Sequence, residues 1–149
     1  MVEKTEIIIR DYKESDFEEV VEMYYQMCID VYPHRQFKSK QFFYKNVMNW
    51  IEWNYDIIVT EKENIITGFA LSYVDSMGGI TEDFYQGECI YVKPEHRKSR
   101  SAYLMYHTFI NYAKKMGYIL STNASDITES SHIAKKLGIK VFTKFEKLP

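Results

Sequence analysis

One segment constrains the fold more than any other: Cys89 to Met105, which reads Cys-Ile-Tyr-Val-Lys-Pro-Glu-His-Arg-Lys-Ser-Arg-Ser-Ala-Tyr-Leu-Met. An apolar strand from Glu88 to Val92 is stopped by Pro94, which cannot donate to a sheet ladder. A short basic loop, 97–101, follows. A long amphipathic helix then runs from Ser101 to Met116. Its apolar face is Ala102, Met105, Phe109, Tyr112, Ala113 and Met116, and Gly117 closes it. Tyr118-Ile119-Leu120 is the next strand. A strand, a helix and a second strand in this order predict a parallel pair with the helix packed across it.

The upstream half has a different texture. Ile7-Ile8-Ile9 begins a first strand that ends near Asp11. Ser15-Asp16-Phe17-Glu18 fits a capping box, and Phe17, Val20, Val21, Tyr24, Met27 and Cys28 follow at helical spacing. A second helix is predicted from Ser39, with Phe43, Val47, Trp50 and Ile51 on one face. Ile57-Ile58-Val59 and the run from Ile65 to Val74 form a hairpin around Lys62-Glu63-Asn64. A polar loop from Asp75 to Gln86, with Gly78-Gly79, leads to the Glu88 strand. Thr128 to Leu137 reads as a short helix and Ile139 to Phe145 as a last strand. The expected order is β-α-α-β-β-β-α-β-α-β. It builds one α/β domain over residues 1–149, a mixed sheet with helices on both faces.

Charge separates along this order. The formal net charge is −2, but residues 1–92 carry 8 basic and 17 acidic side chains and residues 93–149 carry 11 and 4. A uniformly basic nucleic-acid coat is excluded, and no nucleic-acid partner is expected. No apolar stretch is long enough to span a membrane, and the first residues lack a signal-peptide layout. Cys28 and Cys89 form no CxxC and are expected to be reduced, buried thiols in a cytoplasmic protein. The four histidines show no metal-ligand spacing with them, so no metal is expected.

The basic loop is where chemistry is expected. A helix N-terminus presents unpaired amides and a partial positive charge. Lys98 and Arg100 stand beside it, and Ser99, Ser101 and Ala102 are small enough for close backbone approach. This composition suits a phosphate or pyrophosphate. The plainer alternative is a solvated loop joining strand to helix.

On these residues the chain resembles the GCN5-related N-acetyltransferases. Tyr91-Val92-Lys93-Pro94-Glu95-His96-Arg97 followed by a loop and helix looks like that family's acetyl-CoA site. The family loop R/Q-x-x-G-x-G/A reads here Arg97-Lys98-Ser99-Arg100-Ser101-Ala102, with Arg100 in place of the central Gly. Lys136-Leu137-Gly138-Ile139 resembles the family's closing Leu-Gly-Phe, and the element order also matches. The resemblance implies an acyltransferase with acetyl-CoA as co-substrate and direct attack by an amine. The backbone amides of residues 98–102 would hold the pyrophosphate, with Arg97 beginning the motif. Ile90, Tyr91 and Val92 would pair with the pantetheine arm where two strands splay, and Asn123 could donate to it. Some small-molecule acetyltransferases of the family carry a Glu at the position of Glu88. The family's usual tyrosine acid falls on Ala134.

Glu88 is the candidate catalytic base, since the attacking amine must lose a proton. Its plainer role is a pair with a neighbouring cation. Asp75, Glu82 and Asp83 could line the approach of a cationic amine, or form an ordinary polar loop. The expected acceptor is a primary amine, a small cationic molecule ahead of a peptide amine. The alternative is a non-catalytic binding module of the same fold, for which Arg100 and Ala134 speak. Phe42, Tyr44 and Trp53 are candidates for a partner surface, a homodimer included.

Overall fold

The structure, a computed structural model, describes residues 6–76, 81–122 and 136. Gly78, Gly79, Asn123, Ala134, the Leu137-Gly138-Ile139 segment and the predicted last helix and strand lie outside the described residues.

Among the described residues the sheet has five strands in the order β1-β2-β3-β4-β5: β1 Ile8–Asp11, β2 Asp56–Lys62, β3 Ile65–Asp75, β4 Phe84–Val92 and β5 Ile119–Thr122. The first four pair antiparallel, and β4 pairs parallel with β5. The hairpin of β2 and β3 turns at Glu63 and Asn64, both at positive φ (53° and 64°). Two left-handed residues in a two-residue loop match the right-handed twist of the strands they join. The sequence predicts this turn correctly. It misses the length of β4, which starts four residues earlier than expected. Phe84 to Gly87 look polar and irregular in sequence, yet they are held between β3 and β5.

Helices α1 (Phe17–Val31) and α2 (Lys40–Glu52) cover one face, and α3 (Ser101–Met116) covers the other. Val20, Val21, Met23, Phe43, Val47 and Trp50 pack on Ile57, Val59, Phe69, Leu71 and Tyr91. Met105, Phe109 and Ala113 pack on Ile58, Ala70, Tyr85 and Val92. Alternate residues of each strand therefore feed opposite cores, as the period of two requires. Ile51 and Met116, expected in the core, are 40% and 47% exposed. Each sits at the last turn of its helix, where the sheet no longer covers the face.

The expected capping box does not form as Ser15 with Glu18. A single 3-10 turn, Glu14–Asp16, precedes α1. Asp16 takes the role instead: its carboxylate accepts from the Lys13 amide at 2.8 Å and from both terminal nitrogens of Arg10 at 2.7 and 2.9 Å. Glu18 accepts from the Tyr44 hydroxyl of α2. Tyr44, expected on a partner surface, is therefore packed on α1 with its ring against Phe17. Trp53 lies just past α2 and is exposed, as is Phe42.

Among the described residues, no helix is long and apolar enough to cross a membrane. Both cysteines are free and partly buried.

Candidate active site

The parallel pairing of β4 and β5 runs from Phe84 with Ile119 to Gly87 with Thr122. The described part of β5 ends at Thr122, the partner of Gly87. The Lys93 amide donates to the Thr67 carbonyl at 2.9 Å, toward β3. Backbone groups alternate sides along a strand, so the Ile90 amide and carbonyl and the Val92 amide turn to the side away from β3. The Tyr91 backbone faces β3 instead, where its carbonyl lies 2.6 Å from where a Cβ on Gly68 would stand. Only a glycine lets the two strands approach so closely there.

Arg97 sits against the end of β4. Its Nε donates to the Val92 carbonyl at 3.0 Å, and its guanidinium pairs with Asp30 of α1 at 2.6 Å. It also lies over the Tyr91 ring, 5.5 Å from the centroid. Arg97 thus ties the strand end to α1, a role the sequence does not reveal because Asp30 is 67 residues away. Burial first, then the Asp30 charge, pushes the Tyr91 phenol up to about 12.

The loop between β4 and α3 is held from below. Ser99 Oγ accepts from the Ser101 amide at 3.2 Å and donates to Ser101 Oγ at 2.9 Å. Ser101 is fully buried, and its hydroxyl meets Thr67 Oγ1 at 3.3 Å, which meets Thr60 Oγ1 at 2.9 Å. A chain of four hydroxyls therefore anchors the start of α3 to the β2–β3 hairpin. Thr67→Val removes the middle link and is expected to cost about 1–2 kcal/mol, read as a lower denaturant midpoint.

Leu104 makes the first intrahelical bond, to the Arg100 carbonyl at 2.9 Å. The amides of residues 100–103 thus precede the helical ladder, and Ser99 takes that of Ser101. Arg100 sits at φ −84°, ordinary backbone for any residue. It is exposed and its guanidinium lies over Tyr103, 5.4 Å from the centroid. The replacement of the motif glycine therefore stores no backbone strain. Lys98 is exposed beside it. A helix N-terminus and two exposed cations suit the pyrophosphate of coenzyme A.

Glu88 occupies a β-bulge. Leu71 pairs with Cys89 and Ser72 with Gly87, so Glu88 is the extra residue of β4. Ile90 and Val92 pack on the α3 side. Strict alternation from them would send Glu88 there too. The bulge turns it to the side of α1 and α2, together with Cys89. There it lines a cleft of about 290 Å³ with Tyr24, Met27, Trp50, Tyr55, Leu71, Tyr73 and Cys89. The Tyr73 hydroxyl donates to Glu88 Oε2 at 3.3 Å. Burial, then the charge of Glu88, raises the Tyr73 phenol above its ordinary value. Burial pushes the Cys89 thiol up to about 12, which keeps it protonated and unreactive.

The sequence misses Tyr24, Trp50, Tyr55 and Tyr73 as cleft residues. With 13 tyrosines in the chain, only the strand register singles out these few. Among the described residues, no group of three or more His, Cys, Asp or Glu side chains could hold a metal.

A model described as the acetyltransferase (GNAT) family matches residues 16–138. The chain belongs to this family. Its members are N-acetyltransferases that use acetyl-CoA as co-substrate. The fold has solved counterparts at low identity. A predicted acetyltransferase from Clostridium acetobutylicum, determined with acetyl-CoA, is 17% identical with a TM-score of 0.76, covering 97% of this chain and 96% of that one. An aminoglycoside N-acetyltransferase in complex with CoA is 14% identical with a TM-score of 0.76, over 100% and 97% of the two chains. A glucosamine-6-phosphate N-acetyltransferase from Arabidopsis thaliana is 15% identical with a TM-score of 0.72, over 97% and 98%. No curated protein matches.

Proposed function

We propose that this GNAT enzyme acetylates a small cationic primary amine and that Glu88 is its general base. The observation that carries the reading is the bulge, which turns Glu88 into the aromatic cleft on the side of α1 and α2. When bound, acetyl-CoA supplies an acetyl thioester to be attacked. The Ile90 backbone and the Val92 amide would hold the pantetheine arm, and the amides of Lys98, Arg100 and Ala102 with the Lys98 and Arg100 cations would hold the pyrophosphate, the Ser99 and Ser101 amides being paired to His96 and Ser99. Glu88 attracts the ammonium group and takes one proton from it. The nitrogen would then bond to the acyl carbon as the carbon–sulfur bond breaks, and its second proton would pass to the departing thiolate, which leaves as the coenzyme A thiol. Asn123 remains a candidate donor to the coenzyme. The charge division along the sequence, acidic before residue 93 and basic after it, suits a cationic amine and an anionic coenzyme.

Thiol release from acetyl-CoA, followed across a panel of small amines and lysine peptides, tests the reading. Turnover confined to peptides would overturn the small-molecule assignment. Titration calorimetry with coenzyme A tests the loop. Arg100→Gly removes a cation but no backbone amide. It is expected to weaken binding about three- to tenfold at low salt, with a smaller effect at high salt. An unchanged affinity at low salt would remove Arg100 from the site. The ordinary backbone of Arg100 takes away one of the two features that favoured a non-catalytic module.

A further inference from the structure

The walls of the cleft beside Glu88 are aromatic. Tyr55 and Tyr73 stack with centroids 4.4 Å apart and planes 17° from parallel. Asp56 pairs with Ser72, so Tyr55 and Tyr73 are the next cross-strand neighbours, on the same face. Tyr24 and Trp50 meet at 4.7 Å on the helix side. Met27 and Leu71 complete an apolar lining. Burial raises the Tyr24 and Tyr73 phenols, so both rings stay neutral and keep their electron-rich faces. Among the described residues that line the cleft, Glu88 is the one carboxylate, and neither Lys nor Arg lines it.

The geometry points to a compact amine with one positive charge and a flat apolar body, an arylalkylamine in chemical terms, as the acceptor. Tyr55 and Tyr73 are then its specificity-determining residues. The inference rests on the reading of Glu88 as the amine-facing carboxylate. One carboxylate neutralises one ammonium group. Aromatic rings attract that cation and stack against a flat body. An amino sugar or a polyamine chain offers no flat apolar body to stack on these rings, so it gains less from the Tyr55 and Tyr73 walls. The cleft, about 290 Å³, sits at the small end of ligand pockets, which favours a compact acceptor.

The test uses phenethylamine, spermidine and glucosamine with the full-length chain. Thiol release gives kcat/KM for each, and calorimetry gives phenethylamine binding in the presence of coenzyme A. Phenethylamine is expected to exceed both other amines by about tenfold or more in kcat/KM. Tyr55→Leu should raise its KM by about tenfold, Tyr55→Phe should stay within about twofold, and the acetyl-CoA KM should hold in both. The steady acetyl-CoA KM shows that the variant is folded. A preference for spermidine or glucosamine, or an unchanged phenethylamine KM in Tyr55→Leu, overturns the inference. Phenethylamine that binds, weakens in Tyr55→Leu and is never acetylated supports the aromatic cleft while sinking the catalytic role of Glu88. Absence of phenethylamine binding overturns the inference even if another amine turns over.

Discussion

Replacing Glu88 by Gln is expected to lower kcat/KM for the amine by about 10²–10⁴-fold, the range of general-base catalysis. The substitution keeps the shape of the side chain and leaves an oxygen that can accept from the Tyr73 hydroxyl, now 3.3 Å away. It removes the ability to take a proton. Coenzyme binding should be unaffected, because the Glu88 side chain leaves β4 on the face of α1 and α2, while the proposed coenzyme contacts are backbone groups of Ile90 and Val92. The deficit should narrow as pH rises toward the amine's own pKa, since a growing share of the amine is already neutral. Unchanged turnover with intact acetyl-CoA binding would end the base role. An equal loss of acetyl-CoA affinity would mean that the substitution disturbed the bulge rather than the proton transfer.

Asp16→Ala is expected to destabilise the fold by about 3 kcal/mol, the scale for breaking a buried ion pair by removing one partner. Asp16 is 3% exposed, and it joins β1 to the start of α1 through Arg10 and the Lys13 amide. Truncation leaves the Arg10 guanidinium with Glu61 at 2.9 Å and the Asp11 carbonyl at 3.1 Å. The pH dependence has a definite sign. Arg10, and after it the Lys13 amide, holds the Asp16 carboxyl below its ordinary range against the opposing effect of burial. Its contribution is therefore complete above the unfolded carboxyl value, about 3.9, and is lost as pH falls through the lower folded value. Denaturant unfolding at pH 7 and at progressively acid pH measures this. The gap between wild type and Asp16→Ala should close as the pH falls below 4. A gap that persists at acid pH would assign the cost to lost packing.

Local patterns in the chain predict most elements because each depends on near neighbours. The face of α3, its closure at Gly117 and the hairpin turn at Glu63-Asn64 follow from spacing and backbone preference. Two departures share another cause. Asp16 displaced the Ser15–Glu18 capping box because Arg10 reaches it from β1, a partner outside the box. Strand β4 begins at Phe84 because β3 and β5 flank it there, although its own residues carry no clear alternation. The cofactor loop was legible for the same reason as α3: strand, proline, basic loop and helix are contiguous. The acceptor cleft was not, since Tyr24, Trp50, Tyr55, Tyr73 and Glu88 come from α1, α2, β3, β4 and the residue before β2.

By itself, the sequence determined a strand, a basic loop and a long helix, and hence a parallel pair able to meet an anionic coenzyme. It also determined that Glu88 lies on the strand that precedes that loop. Only the tertiary structure decided which way Glu88 faces. A period of two would have sent it with Ile90 and Val92 toward α3. The extra residue opposite Leu71 and Ser72 reversed it toward the aromatic cleft. A bulge is a property of two paired strands, not of one, so one strand's pattern does not specify it. Arg97 follows the same logic. Its charge was visible in the loop, but its pairing with Asp30 arose only when α1 came to rest beside the end of β4.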